Sequence, residues 1–180
     1  VRAIPGEGGD IPIYVLGSST DSAWLAAELG LPYAFAGHFA PEMMSFAFEI
    51  YRDNYKPSEK FPEPYIIACV NGIAAGTDDE AKKLATTLYQ AFVNIIRNDR
   101  KPFSPPIDDM DEIWNPMEKA GVLQKLRYSF VGSAETVRNQ IQHFQETFNV
   151  DEIMITSHIY EHEARLKSYE IIKKVTDCLQ

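Results

Sequence analysis

The stretch from Ile11 to Phe39, IPIYVLGSSTDSAWLAAELGLPYAFAGHF, constrains this chain more than any other. An apolar run, Ile11 to Leu16, ends in Gly17-Ser18-Ser19-Thr20. A helical pattern follows at once through Ala23, Trp24, Ala26, Ala27 and Leu29, and Gly30 stops it. Leu31-Pro32 then turns the chain into a second apolar run, Tyr33 to Ala36, closed by Gly37-His38. This order is strand, small-residue loop, helix, strand. Parallel strands need such a crossover, and a sheet built from them is covered on both faces. Ligands of these sheets gather at the carboxyl ends of the strands. Here those ends are Gly17–Thr20 and Gly37–Phe39.

The first loop has a use for small hydroxyl residues. Gly17 allows a tight turn and a close approach. Ser19 is placed as an N-cap, with Asp21 and Ser22 in the first helical turn. The free amides of that turn and the helix dipole favour a phosphate or carboxylate, and Ser18, Ser19, Thr20 and Ser22 add neutral donors. Asp21 opposes an anion. A capped helix without a ligand is the competing reading.

The remaining chain continues the pattern. Pro41 opens a helix carrying Met43, Met44, Phe46, Ala47, Ile50 and Tyr51. A proline-punctuated loop, Lys56 to Pro64, leads to a long apolar strand, Tyr65 to Ala75, in which Gly72 marks a bulge or a close backbone approach. Thr77 and Glu80 fit a capping box before a helix with Leu84, Leu88, Ala91, Phe92, Ile95 and Ile96. Residues 98–128 break the rhythm and read as an insertion with one or two short helices. Its acids Asp108, Asp109, Asp111 and Glu112 suit a solvated helix start better than a cation site. Phe130-Val131-Gly132-Ser133 leads into a helix striped by Val137, Ile141, Phe144 and Phe148. Asp151 to Thr156 is the fourth strand, and a last helix from about Glu161 to Cys178 turns Leu166, Tyr169, Ile172 and Val175 inward. Four parallel β/α units imply an α/β fold, either an open sheet or half of an eight-stranded barrel. The aromatics Tyr14, Trp24, Phe35, Phe39 and Phe46 read as core.

Composition narrows the partners. Among 180 residues, 45% are hydrophobic and 24% charged, which suits one globular domain over residues 1–180. A net charge of −9 and a pI near 4.9 argue against nucleic acid or an anionic membrane surface. The cysteines, Cys69 and Cys178, form no CxxC or metal spacing, which fits a reducing cytoplasm. No apolar run reaches the roughly 18 residues of a membrane span. The start, Val1 to Asp10, reads as a connector cut from a longer chain.

His38 ends the second strand, where it either serves chemistry or packs against Phe35 and Phe39. His158 ends the last strand beside Ser157, at the expected mouth. With His162 it has the i,i+4 spacing of a metal pair, but no third ligand is evident and no metal site is expected. His143 lies on a helix and is expected to be exposed. Gly-x-Ser-x-Gly and Gly-x-Gly-x-x-Gly are both absent.

Four segments in order, VLGSSTDSAWLAAELGLPYAFAGHF, VNGIAAGTDDEAKKLA, FVGSAETVRNQI and DEIMITSHIYEHEARLKSYEII, resemble the C-terminal half of bacterial luciferase-like monooxygenases. The resemblance implies a TIM (β/α)8 barrel, of which this chain supplies strands five to eight as a half-barrel. It implies an enzyme that uses reduced FMN, delivered by a separate flavin reductase, and O₂ to oxygenate a small organic substrate. It places the flavin phosphate at Gly17, Ser18, Ser19, Thr20 and Ser22. Ala36, Gly37 and His38 would line the flavin or substrate mouth, with His38 as the candidate catalytic residue. Family chains carry the first four strands ahead of this segment, together with a histidine and a phosphate-neutralising arginine that map to no residue here. The chain is therefore expected to pair with a missing N-terminal half or to form a homodimer. An F420-dependent oxidoreductase of the same superfamily and a non-catalytic half-barrel assembly module are the alternatives.

Overall fold

The computed structural model describes Ile4, Gly6 and residues 8–179. Half of the connector read at Val1–Asp10 therefore falls outside the described residues. The order is β1 (Val15–Gly17), α1 (Thr20–Leu29), β2 (Tyr33–Phe35), a 3₁₀ turn running into α2 (Met44–Asn54), β3 (Ile66–Ala74) and α3 (Asp78–Ile96). A second 3₁₀ turn follows, then α4 (Pro116–Lys125), β4 (Phe130–Gly132), α5 (Ala134–Phe148), β5 (Glu152–Thr156) and α6 (His162–Asp177).

Every strand pairing is parallel. β3 is the hub: Ile67 and Ala68 pair with Ala34 and Phe35 of β2, and also with Glu152 and Ile153 of β5. β2 and β5 therefore flank β3 on opposite edges, and β1 extends the sheet beyond β2. Among the described residues five strands form, not the expected four. Phe130–Gly132, read as the approach to a helix, pairs with Gly72–Ala74, where β3 outruns its pairing with β2 and β5. Three residues are too few for a strand period to show in sequence. β1 is also shorter than its apolar run. Its one partner strand among the described residues has three residues, so Ile11, Ile13 and Tyr14 extend past it into solvent.

Side chains alternate across the sheet. One face sends Tyr33, Phe35, Ile66, Ala68 and Val70 into a core shared with α1, α2, α5 and α6. The α5 stripe of Val137, Ile141, Phe144 and Phe148 is buried as its period requires. A second core joins α3, α4 and the end of β3 through Leu88, Phe92, Val122 and Ile73. Gly72 resolves as a close approach: a Cβ there would lie 2.5 Å from Ile155 Cγ2.

The other sheet face is covered only in part: Leu16 is 70% and Met154 50% exposed, whereas Ile67, Asn71 and Ile73 of β3 are buried. This corrects the assignment of the aromatics. Phe35 is core, but Tyr14, Trp24, Phe39 and Phe46 are each about half exposed, because they leave the buried face of their element. Leu166 and Tyr169 of α6 are likewise exposed, and the small Ser168 takes the inward position, its Oγ accepting from the Ala74 amide at 2.9 Å. The acids at residues 108–112 are engaged in turns and ion pairs. Asp109 caps the 3₁₀ turn at Met110–Glu112, Asp111 meets Lys119 at 2.8 Å, and Asp108 meets Lys83 at 2.7 Å. No described helix is long and apolar enough to cross a membrane.

Candidate functional site

The carboxyl ends of β1 and β2 lie side by side, because the Ala36 amide donates to the Gly17 carbonyl at 2.9 Å. Ser19 caps α1 as expected: its backbone is extended and its Oγ accepts from the Ser22 amide. Ser22 itself braces the loop. Its hydroxyl donates to the Ser19 carbonyl at 2.7 Å and lies 3.0 Å from the Tyr33 hydroxyl. That arrangement explains Gly17: a Cβ there would sit 2.1 Å from Ser22 Oγ, so the glycine makes room for Ser22. With the Ser22 hydrogen committed, the donors left in this loop are the half-buried Ser18 and Thr20 hydroxyls, the exposed Ser19 hydroxyl and the first amides of α1. Asp21 is exposed beside them.

Ala36, Gly37 and His38 form a tight turn at the end of β2. Gly37 packs on β3, where a Cβ would meet the Cys69 carbonyl and Met44 Sδ, each at 2.9 Å. The turn delivers His38 to a side chain the sequence reading did not single out, Asn71 of β3. Asn71 is 2% exposed; its Nδ2 donates to the His38 carbonyl at 2.9 Å, and its Oδ1 lies 3.2 Å from His158 Nδ1. One amide thus ties together the ends of β2, β3 and β5. The signal was present: an asparagine inside the apolar run IIACVNGIA needs buried partners.

His38 and His158 face a pocket of about 240 Å³ whose other walls include Leu88, Ala91, Phe92 and Ile95 of α3 and Phe103. The Phe103 ring meets His158 edge-on at 5.4 Å. His38 Nδ1 and Ser157 Oγ are buried without a hydrogen-bond partner among the described residues. Burial holds the His38 pKa below its ordinary value. For His158 burial is again the main cause, followed by the charges of His38 and Arg165. The His158/His162 metal pair does not assemble: His158 Nδ1 faces Asn71, while His162 Nδ1 faces the Arg165 guanidinium at 3.0 Å. His143 is exposed.

The family model for luciferase-like monooxygenases matches residues 1–149. The chain belongs to the luciferase-like monooxygenase family. A luciferase-like monooxygenase of Escherichia coli K12 is 45% identical over 177 residues, covering 98% of this chain and 53% of its own length. The solved structure of apo-MsnO8 superposes with a TM-score of 0.78 at 27% identity, over 97% of this chain and 54% of that one. The oxygenating constituent of a 3,6-diketocamphane monooxygenase from Pseudomonas putida, solved with FMN, shares the fold at a TM-score of 0.57 and 20% identity. It is matched over 91% of this chain and 47% of its own. The chain thus spans about half the length of the relatives it matches.

For this luciferase-like chain the two histidines predict a pH dependence. Unfolded imidazoles take a proton near pH 6.5. In the fold both hold their pKa lower, so below that pH the unfolded chain binds more protons and stability falls. The urea midpoint should be level above about pH 6.5 on this account and decline on acidification. The His38→Gln, His158→Gln double variant should remove part of the decline between pH 6.5 and the folded values; an unchanged slope would refute the assignment.

Proposed function

We propose that this chain forms the flavin-phosphate side and part of the substrate mouth of a flavin-dependent monooxygenase acting on a small organic molecule. The observation that carries the reading is the loop after β1. It offers the Ser18, Ser19 and Thr20 hydroxyls and the first amides of α1 at the carboxyl end of a parallel strand, beside the turn that bears His38. A phosphate fits this donor set, with the α1 dipole adding to it against the charge of the neighbouring Asp21. Bound reduced FMN would supply the electrons that activate O₂ for transfer of one oxygen atom to the substrate.

The protein's part is positional. Ser19 and Ser22 hold the loop in shape. Gly37 lets the Ala36–His38 turn lie flat on β3, so that His38 reaches the mouth. Neutral His38 can exchange a hydrogen bond with flavin or substrate there. Leu88, Phe92 and Phe103 keep water from the neighbouring wall. A separate reductase would deliver the reduced flavin, and the free thiols of Cys69 and Cys178 suit a cytoplasmic setting. The partly uncovered sheet face, with its outer strands β1 and β5 each paired on one edge among the described residues, would be the half-barrel interior that a preceding segment or a second copy closes.

The test is titration of the chain with oxidised and reduced FMN, followed by flavin fluorescence or absorbance, with its mass measured in parallel. Ser19→Ala should weaken binding about tenfold, equivalent to one charge-assisted hydrogen bond. It should also cost about 1 kcal/mol of stability as a lost N-cap. Binding equal in wild type and Ser19→Ala would refute the phosphate assignment. Preference for deazaflavin F420 over FMN would move the cofactor assignment within the superfamily.

A further inference from the structure

The Asn71 amide fixes more than the position of the strand ends. The His38 carbonyl can only accept a hydrogen bond, so the atom of Asn71 facing it must be the amide nitrogen. The other atom, Oδ1, therefore faces His158 Nδ1, and an oxygen there can only accept. His158 must carry its hydrogen on Nδ1. Burial keeps the ring neutral at pH 7, so Nε2 bears a lone pair, and no described residue hydrogen-bonds it. The ring stands in the wall of the pocket, braced by the edge-on Phe103. Opposite are aliphatic and aromatic side chains of α3, and the lining contains no lysine, arginine or carboxylate. A charged ligand would lose its hydration there without compensation. A hydrocarbon body with one hydrogen-bond donor would be matched on both counts.

We propose that this pocket binds a small, uncharged, mainly hydrocarbon molecule through a single hydroxyl, which donates its hydrogen to Nε2 of His158. Asn71 is the positioning residue: it touches no ligand but sets which imidazole nitrogen is the acceptor. The proposal names the substrate class for the monooxygenase reading and rests on that reading for its role in turnover. The binding itself needs only residues of this chain and no flavin.

The experiment uses three probes of similar size: cyclohexanol, which donates; cyclohexanone, which only accepts; and methylcyclohexane, which does neither. Nitrogen-15 spectra of the histidine rings should show His158 in the Nδ1–H form in the free chain. Cyclohexanol should shift its Nε2 resonance saturably and bind about tenfold more tightly than the other two, as one added hydrogen bond implies. Asn71→Leu should mix the two ring forms and abolish most of that preference, whereas Phe46→Ala, at an exposed position outside the pocket, should leave it unchanged. A free chain with the hydrogen on Nε2, or equal affinity for the three probes, would overturn the proposal whether or not Asn71→Leu folds. Cyclohexanol binding in a chain that takes up no FMN would sustain the pocket and sink the flavin reading. FMN binding without discrimination among the probes would do the reverse.

Discussion

Phe48→Ala should lower unfolding free energy by about 3–5 kcal/mol, the range for deleting a buried aromatic ring. Phe48 of α2 is 1% exposed. Its ring sits between three others, with centroids 5.8 Å from Phe35, 6.1 Å from Phe148 and 6.5 Å from Tyr33, all edge-on. The Arg52 guanidinium covers it at 5.9 Å and donates onward to the Phe148 carbonyl at 2.7 Å. Truncation therefore removes the contact joining β2, α2 and α5, and their backbone pairings prevent the gap from closing. For a domain of this size the loss corresponds to a fall in Tm of roughly 10 °C. Phe46, two residues earlier and 54% exposed, is the control; its replacement by alanine should change stability by no more than about 0.5 kcal/mol. Chemical denaturation of both variants decides the matter, and similar losses would mean that α2 packs through the wrong face.

Gly17→Ala is the second large effect, and it acts on stability and cofactor together. The new methyl would lie 2.3 Å from Ser22 Cβ as well as against its hydroxyl. Ser22 cannot rotate clear, since its Cβ is part of the clash. The first turn of α1 must move, breaking the bond from Ser22 to the Ser19 carbonyl and the contact with Tyr33. Overpacking of this kind costs about 1–3 kcal/mol. The displaced Ser18–Thr20 donors should also weaken FMN binding by more than Ser19→Ala does. Ser22→Gly should cost about 1 kcal/mol alone, as glycine in a helix. Combined with Gly17→Ala it should restore much of the loss, because it removes the clashing carbon. Additive losses in the double variant, measured by denaturant midpoint, would show that steric conflict is not the cause.

What the sequence disclosed follows from the length scale of each signal. The α5 stripe and the Ser19 and Thr77 caps repeat or complete themselves within a few residues, so they read correctly. The parallel α/β plan was legible because apolar runs and capped helices alternate. β4 was not legible, since three residues gain a partner only through the overhang of β3. The outward turn of Trp24, Phe39 and Phe46 was missed because hydrophobicity does not say which surface exists to cover a side chain. At the site, the loop hydroxyls and His38 stood out by residue type and place. Their internal division of labour did not: that Gly17 makes room for Ser22, and that Ser22 spends its hydrogen on Ser19, depends on ångström distances. Asn71 was overlooked because its partners come from two other strands, so a run read alone shows only one polar letter among apolar ones.

The central place of β3 also fixes the order in which this chain can mature. Its partnership with β2 is local and forms early. Its partnership with β5 closes a long loop, as in the bond from the Ile66 amide to Asp151 Oδ2, whose residues are 85 apart in sequence. During synthesis, at about 5–20 residues per second, the apolar edge of β3 waits several seconds for that partner to emerge. α3 and residues 98–128 are made in this interval. The nascent chain is therefore most exposed to misassembly between the synthesis of β3 and that of β5, and a pause just before β5 would lengthen that window.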